Sequence, residues 1–363
     1  MSSEDGFRGG GEVYTLLAVA AAAAEAGDLE ASARALKQVR EVPVDDPLLL
    51  DHYLAGFEAR LGAAGQGNLY LRKEEVAQID LFAVLGRHLP LLRAARLADD
   101  NLLPFLRGRS SATVLGLGIG KGRQECDLLA RAPHVRSLTV IGVDVAGESL
   151  DTAAAALRSA GDRAGTAVTF HPVRAATEDL DATVWELVRR SPRPLLVTAS
   201  FALHHMRDVA GEDTRAALFR RLRSLEPDAV ALCEADSDHH NVPLSARFAN
   251  SWHHYGTLFR AIDSTGATAP EKSAMKQFFG REIQNVIGAA DEDRYERHEP
   301  LRVWAERFTA HGFRLVEPSS PHPDTQAGFT ALARASYIEL AYRNIPLAGV
   351  LTAVPDRFFK TRF

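Results

Sequence analysis

A short apolar run that leads directly into four glycines constrains the fold of this chain more than any other feature. Residues 113–124 read TVLGLGIGKGRQ. The glycines that follow the run are Gly116, Gly118, Gly120 and Gly122, and an amphipathic helix comes next. Glycines between a strand and a helix let the backbone approach a ligand, and the start of the helix offers N–H donors to a polar or anionic group. The segment predicts a ligand-binding turn, although an ordinary tight turn gives the same spacing.

An acidic residue ends the next predicted strand. Residues 138–143 read LTVIGV, and Asp144 follows them. In a doubly wound sheet, an acid at this place accepts hydrogen bonds from ribose hydroxyls. The glycine turn and Asp144 together predict a nucleoside cofactor. The alternative is a Rossmann-like sheet that has kept the turn without the ligand.

Short apolar strands alternate with helices through the middle of the chain. The strands are predicted at 113–117, 138–143, 167–173, 194–198 and 229–234. This alternation predicts an α/β fold with a doubly wound, mainly parallel, Rossmann-like sheet. Helical periodicity before the first strand predicts an N-terminal helical cap, and a helical stretch after the fifth strand predicts an insertion.

The predicted domain boundaries follow these changes of pattern. An acidic, glycine-rich stretch over 1–11 is predicted to be a disordered tail. The helical cap is placed at 12–108, the first part of the core at 109–240, and the insertion that adds to the cap at 241–300. Residues 301–363 complete the core, with a helix over 325–335 and a closing hairpin around Asn344.

Composition argues against several classes of protein. The 363 residues are 46% hydrophobic and 25% charged, which is typical of an ordinary globular protein. A net charge of −5 provides no basic field, so nucleic acid is not an expected partner. The start of the chain lacks the pattern of a signal peptide, and the alanine-rich run over 16–24 is too short to span a bilayer. Cys126 and Cys233 lie in core-like patterns, so we expect a cytoplasmic protein without a membrane partner.

Polar side chains follow strands four and five, and ligands of doubly wound sheets bind beyond such strand ends. His204 and His205 end strand four, and histidine suits acid–base chemistry near neutral pH. The segment CEADSDHHN places Glu234, His240 and Asn241 after strand five. Histidines that only cap a helix or bond a carbonyl are the alternative. No metal site is expected, because consecutive loop residues point in different directions.

An aromatic stripe lies on the first helix of the insertion, predicted at 244–263. It consists of Phe248, Trp252, Tyr255 and Phe259. Such a stripe is typical of a core, but it lines an apolar pocket if it faces the ligand edge. In that case Trp252, His253 and Tyr255 are the substrate-pocket candidates. The charged run over 281–299 favours a buried ion-pair network with a structural role, with Arg294 and Glu296 among its members.

Several of these segments, taken in order over residues 12–355, resemble the GRAS family. LLAVAAAAAEAGDLEASARAL is similar to its leucine-rich opening, and VLGLGIGKGRQ with IGVD is similar to its VHIID segment. SFALHHMRD, LCEADSDHHN and RFANSWHHYGTLFRAID match later blocks. GREIQNVIG, RYERHE, Trp304 and Gly312–Phe313 are the most diagnostic matches, whereas PLAGVLTAVP only loosely matches the family's SAW ending.

The resemblance implies a class I S-adenosylmethionine-dependent methyltransferase fold and therefore a set of cofactor contacts. The glycine turn would approach the methionine part, and Asp144 would hold the ribose. The remaining cofactor candidates are Thr177, Glu178 and Asp179 for the adenine, and Ser200 and Phe201 beside strand four. The chain departs from the family at Gly116, where the VHIID pattern has an acid that often holds the cofactor's ammonium group.

The expected function is methyl transfer from S-adenosylmethionine to an oxygen or nitrogen of a small molecule, in a bacterial-type member of the family. His204, His205 or His240 would act as the base, and Glu234 and Asn241 would orient the substrate. The family is best known for plant transcriptional regulators, which are mostly nuclear and act through protein partners. The alternative is therefore a non-catalytic ligand-binding or regulatory protein, which the glycine at 116 favours. A nicotinamide-dependent dehydrogenase fits the glycine spacing less well, and assembly as a homodimer is left open.

Overall fold

The chain forms two compact units. The computed structural model describes residues 10–44, 46–62, 69–71, 76–209, 211–318 and 328–357. The helical unit comprises Met1–Leu89 and Ser237–His298, and the sheet unit comprises Pro90–Asp236 and Glu299–Phe363.

The described part of the helical unit contains six α-helices. Its helices are α1 (Gly10–Glu25), α2 (Leu29–Val39), α3 (Pro47–Leu61), α4 (Gln78–His88), α10 (Leu244–Asp263) and α11 (Ala269–Gly288). The helix starts follow from local sequence. The Asp28 side chain accepts a hydrogen bond from Ala31 N at 2.8 Å, and Pro47 occupies the first turn of α3, where a missing N–H costs nothing.

Small residues let α3 and α11 approach closely. A Cβ at Gly56 would lie 3.1 Å from the Cβ of Ile287. A Cβ at Gly280 would overlap the His52 ring. These two glycines therefore fix how near the two helix backbones can lie.

The sheet unit contains a mixed sheet with helices between its first strands. Its strands are β1 (Ser111–Leu117), β2 (Ser137–Asp144), β3 (Ala167–Arg174), β4 (Leu195–Ser200), β5 (Ala229–Ala235), β6 (Phe313–Leu315), β7 (Phe329–Ala333), β8 (Ile338–Tyr342) and β9 (Ile345–Pro355). Its helices are α5 (Ala94–Leu106), α6 (Arg123–Ala130), α7 (Gly147–Ala164), α8 (Ala182–Arg190), α9 (Thr214–Leu225) and α12 (Leu301–Ala310).

The strand order is β3-β2-β1-β4-β5-β9-β8-β7, and β6 pairs with β9. Strands β1 to β5 are parallel, and Gly116 of β1 pairs with Gly142 of β2 and with Thr198 of β4. The order reverses between β1 and β4, which is where doubly wound sheets open a crevice at the carboxyl ends of their strands. The expected α/β fold with a parallel central sheet is confirmed.

The sheet continues through antiparallel strands. β9 pairs with β5, with β8 and with β6, all antiparallel. The predicted hairpin is present: β8 and β9 are joined through Arg343 and Asn344, whose φ angles are 47° and 63°. Two successive residues with positive φ form the turn that suits a tight hairpin, and asparagine tolerates that conformation.

Three predictions about elements were wrong. Phe329–Ala333 is a strand rather than part of a helix, because it pairs antiparallel with β8 at the edge of the sheet. Residues 325–327 lie outside the described residues. Gly10 and Gly11 belong to α1, whereas the first nine residues of the predicted tail lie outside the described residues. α5 packs on β5 and β9, so it belongs to the sheet unit and not to the cap placed at 12–108. Among the described residues, no helix is long and apolar enough to cross a membrane.

Candidate functional site

The main-chain N–H groups of the glycine turn between β1 and α6 form hydrogen bonds within the protein. Gly118 N and Ile119 N both donate to the main-chain oxygen of Val143, at 2.9 Å each. Gly122 N donates to the oxygen of Ile119 at 3.0 Å. The φ angles of 71° at Gly118 and 70° at Gly122 explain why glycine is needed at these places. The turn folds onto the end of β2 and is held there by backbone hydrogen bonds.

Asp144 completes the closure of this turn. Its Oδ2 accepts a hydrogen bond from Gly120 N at 2.9 Å, and its Oδ1 accepts one from Ala146 N at 2.9 Å. Burial raises the pKa of Asp144, and the hydrogen bonds from Ala146 and Gly120 oppose that shift. The carboxylate assigned to a ribose therefore joins the turn to the start of α7.

Side chains fill the space on either side of the turn. A Cβ at Gly118 would overlap the Cβ of Ala202, which lies in the loop after β4. A Cβ at Gly116 would lie 3.0 Å from Oε1 of Glu125 on α6. The glycines thus make room for neighbouring parts of the protein.

The loop after β4 is anchored by Glu234, which is fully buried at the end of β5. Its Oε1 accepts hydrogen bonds from Leu203 N at 2.8 Å and Ala202 N at 3.2 Å. Its Oε2 lies 2.5 Å from Nδ1 of His204, which is also buried. Two of the predicted catalytic residues, His204 and Glu234, are brought together, but as an interior contact. His205 is half-buried, and its ring centroid lies 4.0 Å from that of His204.

A buried arginine holds the same loop from its other side. Arg215 on α9 donates through Nε to the oxygen of Leu203 at 3.3 Å and through Nη2 to the oxygen of His204 at 3.2 Å. It also forms an ion pair with Glu299 at 3.3 Å. The sequence indicated neither contact, because Arg215 looks like any surface arginine of an amphipathic helix.

Three further cofactor candidates in the sheet unit, Ser200, Glu178 and Phe201, have protein partners. Ser200 Oγ donates to Oε1 of Gln124 at 2.7 Å. Glu178, in the short turn Thr177–Asp179, accepts a hydrogen bond from Arg207 N at 3.2 Å. Phe201 has a φ of 53° and donates its N–H to the oxygen of Cys233 at 2.8 Å.

Two buried acids near this edge were missed. Asp99 on α5 and Glu125 on α6 are 1% and 3% exposed. Burial raises the pKa of Asp99 to about 8 and that of Glu125 to about 7. Gln124 donates to Asp99 at 3.0 Å and Thr198 to Glu125 at 3.2 Å. The sequence does contain a signal that Asp99 is buried, because Asp99 directly follows Ala98 in the apolar stripe of α5.

The remaining site candidates belong to the helical unit. Tyr255 is fully buried, and its hydroxyl donates to Oε2 of Glu282 at 3.2 Å, so it is a core residue rather than the wall of an open pocket. Trp252 packs against Tyr53, with ring centroids 5.2 Å apart. The other three are His240, which is buried, and Asn241 and His253, which are exposed.

These observations bear on whether the sheet edge fits S-adenosylmethionine. The N–H groups of Gly118, Gly120 and Gly122 and both oxygens of Asp144 are already hydrogen-bonded within the protein. Ala202 fills the space beside Gly118. The residues therefore fit the cofactor poorly.

Comparisons with known proteins show that the chain is similar to several plant proteins. It is 29% identical to DELLA protein 2 of Medicago truncatula over 237 residues, which is 61% of this chain and 43% of the relative. It is 34% identical to the Scarecrow-like transcription factor PAT1 of Arabidopsis thaliana over 136 residues, which is 36% of this chain and 28% of the relative. The crystal structure of SCL7 from Oryza sativa has the same fold, with a TM-score of 0.75 and 22% identity over 93% of this chain and 98% of that one.

These relatives overturn the expected function. They are plant DELLA and Scarecrow-like proteins, so the prediction of a bacterial-type methyltransferase with a small-molecule substrate was wrong. The chain spans about half the length of the curated relatives it matches, at 43%, 61% and 50% for three of them. The GRAS domain family matches residues 13–337. The predicted resemblance is therefore confirmed, and this chain belongs to the GRAS domain family.

Proposed function

We propose that this protein is a non-catalytic regulator that acts by binding protein partners. The observation that carries the proposal is the self-bonded edge of the sheet, where Asp144 is hydrogen-bonded to the glycine turn and Glu234 to the loop after β4. Methyl transfer depends on holding donor and acceptor in line. Groups already committed to one another are poorly placed to hold either.

The relatives support the regulatory part of the proposal. One of them is by name a transcription factor, and another is a DELLA protein. A protein partner would take the place of the small molecule expected from the sequence. The cytoplasmic location and the homodimer stay predictions.

A tethering experiment tests the regulatory role. The full chain is fused to an unrelated DNA-binding domain, and transcription from a reporter is measured at matched expression. We expect reporter output to change relative to the DNA-binding domain alone. An unchanged output in cells that contain the chain's natural partners would contradict the proposal.

Calorimetry tests the non-catalytic part. We expect no saturable heat when S-adenosylmethionine or S-adenosylhomocysteine is titrated into the full chain. Saturable micromolar binding that Asp144→Ala abolishes would overturn this part, provided that the control Glu148→Ala, an exposed acid in the first turn of α7, retains it.

A further inference from the structure

Buried arginines gather in the helical unit. Arg247 lies in the first turn of α10, and Arg294 lies in the segment after α11. They are 3% and 2% exposed. A buried guanidinium is costly unless it is paired with an anion and its donors are used, so the partners of these two side chains need to be identified.

Their shared partner is a carboxylate at the surface. Oδ1 of Asp291 lies 3.0 Å from Nη1 of Arg247 and 3.1 Å from Nη2 of Arg294. The Asp291 side chain is 74% exposed, in the turn that follows α11. A single oxygen therefore bridges two guanidiniums. The sequence predicted a buried ion-pair network with Arg294 among its members, but the carboxylate that pairs with Arg294 is the exposed Asp291.

Two further arginines lie near Asp291. Arg297 donates to the main-chain oxygen of Asp291, and Arg60 donates to the oxygen of Ile287 at 2.7 Å. We call Arg60, Arg247, Arg294 and Arg297 the arginine cluster. A hydrogen bond from Ser245 N at 2.8 Å lowers the pKa of Glu25, and Arg247 of the cluster lowers it further.

The pKa values of Arg294 and Asp291 reflect this arrangement of charges. Burial, and then Arg247 and Arg297, lower the pKa of Arg294 to about 9. Burial acts to raise the pKa of Asp291, but Arg247 and Arg294 outweigh it and lower that pKa to about 2. The cluster thus stabilises negative charge at the position of Oδ1.

The cluster also holds unused donors. Nε of Arg247 and Nε of Arg294 are buried and have no hydrogen-bond partner within the described part of the chain. The terminal nitrogens of Arg294 also donate to the main-chain oxygens of His239 and His240, so the two Nε groups are the donors that remain for a further acceptor. A tetrahedral oxyanion has more acceptor oxygens and more charge.

We propose that the arginine cluster is a binding site for a phosphate group, with the Asp291 carboxylate as its internal substitute. One phosphate oxygen takes the place of Oδ1 between Arg247 and Arg294, and the others accept from the remaining donors. Asp291 leaves toward solvent, where most of its side chain already lies.

The phosphate has two possible sources with the same chemistry. One is the free inorganic anion, and the other is a phosphoserine on a protein partner. The second source rests on the proposed function, whereas the first does not.

Titration calorimetry of the full chain with inorganic phosphate, at constant ionic strength set with chloride, tests the site. We expect saturable binding, tightened about tenfold by Asp291→Asn, because that substitution removes the internal competitor. The matched control is Glu292→Gln, which changes the same charge at the next residue of the exposed turn and should leave the affinity unchanged. Arg247→Gln should weaken binding by about tenfold or more.

Two results would overturn the site. One is the lack of saturable phosphate binding in both the natural chain and Asp291→Asn. The other is an equal effect of Asp291→Asn and Glu292→Gln, which would indicate general attraction only. Neither result depends on Arg247→Gln, which removes a buried charge and can fail to fold.

A second titration distinguishes the sources. Tighter binding of N-acetyl-phosphoserine amide than of inorganic phosphate, with no binding of the unphosphorylated compound, supports a protein partner. Tighter binding of inorganic phosphate supports the free anion. If reporter output is unchanged but phosphate still binds, a protein partner as the source of the phosphate is contradicted, and the phosphate site itself is retained.

Discussion

Removing the Glu234 carboxylate should destabilise the sheet unit strongly, because that group is a structural anchor. It is fully buried and accepts hydrogen bonds from Ala202 N, Leu203 N and His204. A hydrogen bond to a charged group contributes about 1.5–3 kcal/mol, and breaking a buried pair by removing one partner costs about 3–5 kcal/mol. We expect Glu234→Ala to lower the free energy of unfolding by about 3–5 kcal/mol. That is a large share of the roughly 5–15 kcal/mol typical of native proteins.

Glu234→Gln separates the hydrogen bonds from the charge. The amide oxygen can still accept from Ala202 N and Leu203 N, so we expect a smaller loss of about 1–3 kcal/mol. The matched control is Glu212→Ala, an exposed acid in the same unit, which should stay within about 0.5 kcal/mol of the natural chain.

Urea unfolding measures these differences. Circular dichroism follows the transition, and fluorescence reports on Trp185 and Trp304 in the sheet unit together with Trp252 in the helical unit. An unchanged slope with a shifted midpoint identifies a true change in stability. If Glu234→Ala unfolds at the same urea concentration as Glu212→Ala, the anchoring role of Glu234 is wrong.

Two further predictions concern helix packing and pH. Gly280→Ala should destabilise the helical unit by about 1–3 kcal/mol, because the new Cβ overlaps His52, whereas Gly266→Ala, with nothing within 4 Å, should be nearly neutral in thermal unfolding. Burial raises the pKa of Asp99 to about 8, so the native carboxyl keeps a proton that the unfolded chain releases near pH 4, and stability should fall as pH rises between those values. Asp99→Asn should flatten this slope in urea titrations at pH 5, 7 and 8.5, and parallel pH dependences of the two proteins would contradict the assignment.

The fold was largely predictable because the hydrophobic pattern carries it. Strands β1 to β5 and helix α10 lie where their periodicity places them, and Asn344 marks the hairpin turn. The helix over 325–335 failed because a short apolar segment takes the structure that its neighbour offers, and β8 offers an edge. Residues far apart in the chain decide such cases.

The location of the site was predictable from the sequence, but the contacts within it were not. The sequence pattern predicted Gly118, Asp144 and Glu234 at one edge of a sheet, and in the structure they lie at the carboxyl ends of β1, β2 and β5. It could not tell that Asp144 would accept from Gly120 N, or that Ala202 would fill the space beside Gly118. A turn that binds a ligand and a turn that binds its own protein need the same glycines, since both require positive φ and close approach.

The same reasoning explains why the departure at Gly116 matters. A side chain there would meet the Glu125 carboxylate, whose Oε1 lies 3.0 Å from the place of its Cβ. An acid at 116 would therefore set two carboxylates side by side in the interior, where like charges disfavour each other's ionisation. Glycine at 116 and glutamate at 125 are compatible as a pair, and Thr198 hydrogen-bonds the one acid that remains. The edge of the sheet thus keeps a carboxylate, that of Glu125, but buries it in contact with Thr198 of β4. Such a buried, hydrogen-bonded carboxylate has a structural role.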